Sequence, residues 1–450
     1  MVRDLTQGNT LKRILSFCLP LMTGQIFQQL YNMVDSVIVG RFAGTAELSA
    51  VGSTGALSFM VIGFVLGLCT GFSIPISHAF GEKVFSKLRA FYINSIYLTV
   101  FLSAVLTLIT VILTGRILKA MNTPDDIYNL AYDYISIVFY GLTATFFYNL
   151  FACVMRSLGD SRTPLILLII SSVLNIILDL LFVISFKMAV RGVAIATVMA
   201  QLFSAVLAFI IIRKKFDILR LEKGEARPDI RKCGHLLFNG LPMALQVSVT
   251  ATGSIMLQSA VNRLGSTVIA AVTVASKIQL MLVLPSESIG ITMATFCGQN
   301  VGACRIDRIK DGMVKAVMVG LVYSLFAISI AGFFGNELAA LFVSKSQTQV
   351  INYVVRFLNT CIWFYPILSV LFTLRNAVQG MGYSFPAMFA GVFELAARGI
   401  MGFIFIPVYG YSAVCIAHPM AWSAAVVFLV PTFFATYYFT KKKIIGEIKI

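Results

Sequence analysis

Charge is scarce in this chain of 450 residues. Asp, Glu, Lys and Arg together make up 12% of the sequence, whereas hydrophobic residues make up 58%. A soluble chain of this length would be expected to form about three domains. A mean hydropathy of +0.89 and apolar runs along the whole length exclude that interpretation. The composition instead indicates a protein embedded in a membrane.

Several motifs are also missing. The eight cysteines are scattered and form no Cys-x-x-Cys pair of the kind that binds metal, so we expect them to pack between helices. No Gly-rich loop followed by Lys-Ser or Lys-Thr is present, which argues against direct use of ATP. Short segments of alternating apolar and polar residues, typical of a membrane β-barrel, are absent too. We therefore predict an all-α membrane protein without a cofactor.

What the sequence does contain is a series of long apolar runs. About 20 apolar residues cross a bilayer as a helix, and we predict twelve such spans, near residues 14–40, 48–80, 92–116, 128–156, 163–186, 190–213, 233–262, 267–300, 312–335, 348–378, 386–408 and 411–440. About 25 of the 35 basic residues fall in alternate loops, which is the positive-inside bias of membrane proteins. This bias predicts a multi-pass protein of the inner (plasma) membrane with both termini in the cytoplasm. It also accounts for the net charge of +16 without a nucleic-acid partner.

The spans divide into two halves that resemble each other. Residues 214–232 form a long polar segment, which we predict to be a cytoplasmic linker between a first lobe, residues 1–213, and a second lobe, residues 233–450. Pro20-Leu-Met in the first lobe has a counterpart in Pro242-Met-Ala, and other short motifs recur at the same spacing of about 220 residues. Because each lobe holds six spans, both lobes begin on the same side of the membrane. The sequence thus predicts two parallel-repeat six-helix bundles, a design in which substrate binds between the halves.

The carboxylates within the predicted spans that we consider as functional candidates are Asp35, Asp179, Glu287 and Glu394. A charge in hydrocarbon is costly, so it usually faces the protein interior or a water-filled path and marks a functional site. Asp35 and Asp179 have no cationic residue close to them in sequence. These two acids indicate ion-coupled transport.

Helix geometry places the two aspartates at one depth. With a rise of about 1.5 Å per residue, Asp35 lies roughly 9 Å below the outer end of span 1, and Asp179 and Thr197 lie about 10 Å below the outer ends of spans 5 and 6. Asn175 lies one turn from Asp179 on the same helix face. Carboxylate, amide and hydroxyl oxygens suit Na⁺, and the carboxylates can also carry a proton. The alternative is that Asn175 and Thr197 only hydrogen-bond between helices, as polar residues often do in membrane bundles.

Four features of the sequence together resemble the multidrug and toxic compound extrusion (MATE) family. They are Asp35 within Tyr31-Asn-Met-Val-Asp-Ser-Val-Ile-Val-Gly40, the Arg156-Ser-Leu-Gly-Asp-Ser-Arg-Thr-Pro164 loop, Asn175 and Asp179 four residues apart, and Thr197. The resemblance covers nearly the whole chain and is closest to the prokaryotic DinF-like branch. It implies a V-shaped antiporter that exchanges Na⁺ or H⁺ for an organic, often cationic, drug.

The resemblance also implies roles for individual residues. Those of the coupling-cation site carry over as Asp35, Asn175, Asp179 and Thr197, which makes these four residues the candidate ligands of a Na⁺ ion. Pro20 matches the proline that bends span 1, and Gln28 matches a glutamine of the cavity. A tyrosine of span 4 belongs to the site as well; Tyr134 is the first choice, and Tyr140 remains open.

The second half departs from the pattern of other branches. Where those branches carry an acid in span 7, this chain has Gln246, so a second cation site there remains open. Glu394 and Arg398 are spaced i, i+4 in the favourable order and form either a self-neutralising pair or a contact for substrate. Glu287 is a candidate for binding a cationic substrate, although Lys277 or another partner could neutralise it. The candidates for the substrate cavity are Gln28, Tyr134, Gln246, Glu287, Glu394 and Arg398.

We therefore expect a secondary transporter without catalytic residues that exports small organic, cationic compounds in exchange for Na⁺ or H⁺. Membrane lipid is its expected environment, and we expect a monomer. One alternative is a flippase for lipid-linked saccharides, for which Lys277 and Arg398 are the main basic candidates in the spans. A remote alternative is an intramembrane aspartyl protease, but its Gly-x-Gly-Asp signature is absent. The sequence does not separate Na⁺ from H⁺, because the same oxygens serve both.

Overall fold

The structure is a computed structural model that describes residues 4–121 and 123–448. Within these ranges every regular element is helical, which confirms the predicted all-α membrane fold. The first half contains α1 (Thr10–Ile38), α2 (Thr45–Gly81), α3 (Phe85–Ala120), α4 (Asp125–Tyr140), α5 (Leu142–Ser157), α6 (Arg162–Leu180) and α7 (Ala189–Lys215). The second half contains α8 (Ile230–Val261), α9 (Ser266–Gly302), α10 (Ile306–Ala340), α11 (Thr348–Cys361), α12 (Tyr365–Gly380), α13 (Ser384–Ile400), α14 (Ile406–Tyr409) and α15 (Tyr411–Ile448).

Most of these helices are long and apolar enough to cross a membrane. Among the described residues, ten single helices qualify by length and composition, and α4 with α5 forms an eleventh, bent span. The helix α1 is 29 residues long, but Gln25, Gln28, Asn32 and Asp35 make it more polar than most of the other helices. Counted with α1, the twelve predicted spans are all accounted for. The low apolar content of α1 is the first sign that its polar face serves a purpose other than packing against lipid.

One predicted span is broken. The predicted span 128–156 consists of two helices, because α4 and α5 meet at Gly141 with a bend of 48°. Gly141 lies so close to Val198 of α7 that even a methyl group at this position would overlap that side chain. The bend therefore accommodates a close approach of helices that hydropathy alone does not reveal.

The chain forms two compact units whose boundaries fall inside helices. One unit contains Thr23–Ala244, and the other contains Leu5–Met22 together with the chain from Leu245 onward. Each boundary falls two residues after a proline that lies inside a helix. These prolines are Pro20 in α1 and Pro242 in α8. Each half of the chain thus begins with a helix whose first part belongs to the unit built mainly from the other half.

The segment predicted to be a linker is bound to α3 within the first unit. Arg89 donates hydrogen bonds from Nε to Oε2 of Glu225 at 2.6 Å and from Nη2 to Oε1 of Glu222 at 2.8 Å. The Tyr97 hydroxyl donates to the carbonyl of Ala226 at 2.5 Å, and the Asp229 amide donates to Asn94 Oδ1 at 2.8 Å. Residues 222–229 therefore form a docked strap rather than a free tether.

A similar strap occurs in the second unit, where residues 5–8 lie against the start of α10. Arg308 donates to the carbonyl of Leu5 at 3.1 Å and to that of Gly8 at 2.8 Å. Arg305 donates to the carbonyl of Thr6 at 2.9 Å, and the buried amide of Leu5 donates to Gln299 at 2.9 Å. In both units an arginine near the start of a long helix thus holds the segment that precedes α1 or α8.

Glycine contacts set the closest helix packing in the first unit. A methyl group on Gly71 of α2 would overlap the backbone of Gly240 in α8, and one on Gly67 would lie 2.5 Å from the Cα of Ala244. These positions require glycine because backbone, which cannot move aside as a side chain can, occupies the space. The helices α2 and α8 therefore pack backbone to backbone over the first part of α8.

Candidate functional site

The two aspartates of the candidate cation site lie together in the first unit. Asp35 lies in the last turn of α1 and Asp179 in the last turn of α6. Their carboxyl groups are within hydrogen-bonding reach of each other. Asp179 is fully buried and Asp35 is half-buried. The structure thus brings together the two acids that the sequence placed at one depth.

Two tyrosines and a threonine surround the acids. Tyr31, one turn before Asp35 on α1, is hydrogen-bonded to Thr197 of α7 and lies in the electrostatic field of both acids. Tyr134 of α4 is the other close neighbour of both acids. Sequence reasoning missed Tyr31 as a site residue, although its spacing of four from Asp35 puts it on the same helix face. Four helices therefore contribute side chains to one polar cluster: Tyr31, Asp35, Tyr134, Asp179 and Thr197.

The other residues predicted for this site lie around the cluster. Asn175 is buried one turn before Asp179 on α6, with 1% of its surface exposed. Tyr140, the open alternative to Tyr134, is 65% exposed at the bend between α4 and α5, so the geometry favours Tyr134. Gln28 is exposed on α1, and Pro20 lies inside the same helix.

A local change in helix geometry follows each acid. Residues Val39–Ala43 after Asp35 and Leu181–Ser185 after Asp179 are π-helical, so their backbone hydrogen bonds span five residues in place of the four of an α-helix. Such π-helical turns are rare and are often found at functional sites. The corresponding segment of the second half, Met401–Phe405, is also π-helical.

Two adjacent carboxyl groups can hold a proton or a small cation. At an effective dielectric constant of about 20, two like charges about 4 Å apart repel by roughly 4 kcal/mol. A proton shared between the acids, or a cation bound to both, removes that repulsion. Oδ1 of Asp35 is buried and accepts no hydrogen bond from any group in the described part of the chain. A lone pair of this oxygen is therefore available to such a proton or ion.

The second unit contains a separate buried cluster of charges. Glu394 of α13 accepts hydrogen bonds from Arg398 at 3.1 Å and from Arg375 at 3.3 Å. Arg398 also donates to the backbone carbonyl of Thr250 at 3.3 Å. Glu394 and Arg398 are 3% and 4% exposed, so the predicted i, i+4 pair is formed in the interior of the unit.

The remaining residues proposed for the substrate cavity lie in the same unit. Gln246 of α8 is buried and accepts a hydrogen bond from Gln379 at 2.7 Å. Glu287 of α9 is half-buried, and the charge that acts on it is that of Arg375. Lys277, considered from the sequence as its partner, is exposed.

Arg375 is a charged residue inside a span. It lies within α12, in the span Thr348–Gly380. Its side chain is 17% exposed and packs over the ring of Phe372 at 5.1 Å. An arginine inside a span is tolerated here because Glu394, 19 residues later in the chain, pairs with it.

Comparisons with known proteins agree with the internal repeat and with the fold. The protein-family model described as MatE matches residues 20–181 and again residues 242–404. The probable multidrug resistance protein YoeA of Bacillus subtilis (strain 168) is 29% identical over 356 residues, which cover 78% of this chain and 76% of that protein. The probable multidrug resistance protein YpnP of the same strain is 29% identical over 384 residues, 84% of each chain.

A solved structure has the same fold. It is described as the outward-facing conformation of a multidrug resistance MATE family transporter of the MOP superfamily, and it aligns with a TM-score of 0.88. The alignment covers 99% of this chain and 98% of that one at 20% identity. At this identity the likeness establishes the fold, whereas the twofold match of the family model establishes the family. The chain thus belongs to the MatE (MATE) family and is a secondary transporter, not an enzyme.

Proposed function

We propose that this protein exports small organic, cationic compounds in exchange for Na⁺ or H⁺. The observation that carries the proposal is the pairing of Asp35 with Asp179 in a buried polar cluster with Tyr31, Tyr134 and Thr197. Acids inside a membrane span usually serve ion or proton pathways. The names of the relatives, probable multidrug resistance proteins, support drug-like compounds as the cargo.

Coupling follows from the electrostatics of the acid pair. When the cluster is empty and both acids are ionised, their repulsion favours any arrangement of α1 and α6 that separates them. A bound cation or shared proton favours the close arrangement. If the organic compound binds better to one of these arrangements, it and the ion must weaken each other's binding by the same factor. This reciprocity is what exchange requires.

The same proposal includes the membrane setting. The bias of basic residues supports an inner (plasma) membrane location with both termini in the cytoplasm. We expect a monomer surrounded by lipid, because the candidate cation site is built from a single unit of a single chain. The assignment to the DinF-like branch remains a prediction.

The flippase alternative expects a basic cavity that binds a lipid pyrophosphate. Of its two candidate residues, Arg398 pairs with Glu394, and Lys277 is exposed. This arrangement favours export of organic cations over transport of an anionic lipid.

The test uses the purified protein in liposomes and a cationic dye. Na⁺ and pH gradients are imposed separately, and dye transport is measured for the wild type, Asp35→Asn and Asp179→Asn. We expect one of the two gradients to drive transport in the wild type and neither gradient to drive it in the variants. Asp133→Asn is the matched control, because Asp133 lies next to Tyr134 in α4 but pairs with Arg191 at the surface.

The outcomes are distinct. Transport by the wild type that depends on neither gradient would refute ion exchange. Gradient-driven transport by Asp35→Asn at the wild-type rate would refute the assignment of the coupling site. Binding of lipid pyrophosphate in place of organic cations would favour the flippase.

A further inference from the structure

Three valines form a layer beside the acid cluster of the first unit. Val39, Val183 and Val193 pack together and are 0%, 5% and 0% exposed. Three partly buried side chains pack against this valine layer: Ala43, Val51 and Tyr134. Because Tyr134 is also a member of the acid cluster, the layer and the cluster are in direct contact.

Two of the valines lie one helical turn beyond the acids. Val39 comes four residues after Asp35, at the start of the π-helical segment that follows α1. Val183 comes four residues after Asp179, in the π-helical segment that follows α6. Residues four apart on a helix lie on the same face. On both helices a buried valine therefore covers the same side of an acid.

The third valine comes from a helix that runs in the opposite direction. The chain turns back at residues 186–188, and Gly192 of α7 packs against Phe182, so α7 lies antiparallel to α6. Val193 lies four residues nearer to this turn than Thr197 does. It therefore covers Thr197 from the same side from which the other two valines cover the acids.

The valine layer is thin. The side chain of Arg191, two residues before Val193, is 63% exposed. With a rise of about 1.5 Å per residue, Val193 lies about 3 Å from Arg191 and about 6 Å from Thr197 along the helix axis. In the proposed membrane orientation, this side of the cluster is the outer one. One layer of side chains thus separates the acids from the water outside.

The opposite side of the cluster is polar on the same three helices. About one turn from the cluster on that side, each helix carries an amide side chain: Asn32 on α1, Asn175 on α6 and Gln201 on α7. Gln28 continues the polar row along α1, and both Gln28 and Asn32 are exposed. The row ends at Asp35, which is half-buried. Exposed polar side chains within a span indicate a water-filled path.

We infer that the valine layer is a seal: coupling ions reach Asp35 and Asp179 only from the polar side of the cluster, toward the middle of the membrane. The inference rests on the proposed ion exchange and names the residues that keep ion movement tied to cargo movement. An apolar constriction excludes water, and an ion cannot cross it without losing its hydration shell. Exchange requires that the acids never open to both sides of the membrane at once. The seal meets this requirement on the outer side.

The experiment measures leak of Na⁺ and of H⁺ through the purified protein in liposomes, without organic cargo and with ion-sensitive dyes inside. In the test variant, all three valines of the layer are replaced by threonine. Threonine has nearly the shape of valine but carries a hydroxyl group, so the layer becomes wettable without a large cavity. We expect the leak of the coupling ion to rise about tenfold over the wild type.

Two controls keep the layer apolar. Val190→Thr is the matched control, because Val190 is a 1% exposed valine of α7 that lies outside the layer. Val193→Ile keeps an apolar side chain within the layer. Both variants should leak at the wild-type rate. If the triple variant does not fold, Val193→Thr alone should still raise the leak about threefold.

A further substitution tests the route of the ions. Adding Asp35→Asn to the leaking variant should return the leak to the wild-type rate, because the ions are expected to pass through the acid cluster. A leak caused by unfolding would not depend on a single carboxylate. A leak that persists with Asp35→Asn would therefore overturn the inference.

The other outcomes separate the seal from the proposed function. Gradient-driven dye transport without added leak in the triple variant, or in Val193→Thr if that variant replaces it, would refute the seal and leave the proposed function intact. An equal leak in Val190→Thr would also overturn the inference, since the position of the valines would then not matter. A wild type in which neither the Na⁺ nor the pH gradient drives dye transport would refute both.

Discussion

The strap of residues 222–229 provides a prediction whose magnitude follows from the structure. Arg89 is the anchor of this strap, and the perturbation is Arg89→Gln, which removes the charge but keeps most of the aliphatic stem. The lost bonds are two to Glu225, at 2.6 and 2.8 Å, and one to Glu222 at 2.8 Å. An exposed ion pair contributes about 0–1 kcal/mol, whereas breaking a fully buried one costs about 3–5 kcal/mol. With side chains 11% exposed for Arg89 and 19% for Glu225, the pair lies between these limits, and we expect a loss of about 2 kcal/mol.

The assay is limited proteolysis by trypsin after Lys223, within the strap. If opening of the strap is fast compared with cleavage, the cleavage rate follows the population of the open form. A loss of about 2 kcal/mol then raises the rate about 30-fold. The matched control is Lys87→Gln, two residues earlier on the same helix, whose pair with Glu82 is 42% and 30% exposed. That substitution should change the rate less than about fivefold.

Equal cleavage rates for Arg89→Gln and Lys87→Gln would refute the reasoning. A second check is the double substitution of Arg89 and Glu225 by Gln. If the bond between them holds the strap, the double variant should be cleaved little faster than either single variant. Full additivity of the two effects would mean that Arg89 and Glu225 stabilise the strap through separate contacts and not through the bond between them.

Three further predictions concern packing, the acid cluster and pH. Gly71→Ala should lower the free energy of unfolding by about 1–3 kcal/mol, because its methyl group overlaps backbone; Gly55→Ala in the same helix, with open space around it, should not lower the Tm measured in detergent. Tyr134→Phe should reduce gradient-driven dye transport by about tenfold through loss of one hydroxyl at the acids, whereas Tyr140→Phe, which is exposed, should transport at the wild-type rate. The hydrogen bond from Arg89 holds the pKa of Glu225 below its ordinary value of 4.5. The contribution of Glu225 to strap stability should therefore be complete above about pH 4.5 and decline as the pH falls towards the lowered value. Hydrogen exchange of the strap, corrected for its intrinsic pH dependence, should show that decline in the wild type and not in Arg89→Gln.

The candidate cation site was largely predictable because two simple rules apply to it. Hydropathy locates the spans, and the rise per residue then places Asp35, Asp179 and Thr197 at one depth. The other side chains of the cluster were harder to predict from the sequence. Tyr31 lies on the same helix face as Asp35, but it is one of 16 tyrosines, and nothing in its local sequence separates it from those that only pack.

The second unit was harder to predict because its charges neutralise one another over long sequence distances. Arg375 carries the same signal as a basic loop residue, and the sequence does not reveal that Glu394 lies against it. The bend at Gly141 was hard to predict for the same reason, since the side chain that packs against it, Val198, lies on another helix. Contacts of this kind depend on the packing of distant segments, whereas span positions depend on local composition alone.

The helices shared between the two units have a consequence for how the chain can be divided. If it were produced as two polypeptides separated within residues 214–232, the first would lack the opening part of α8 that completes Thr23–Ala244, and the second would lack Leu5–Met22. Neither fragment alone would contain all the packing of one unit. Each would be expected to reach its native form only when co-expressed with the other, so that the repeat seen in the sequence is not a pair of interchangeable, self-sufficient parts.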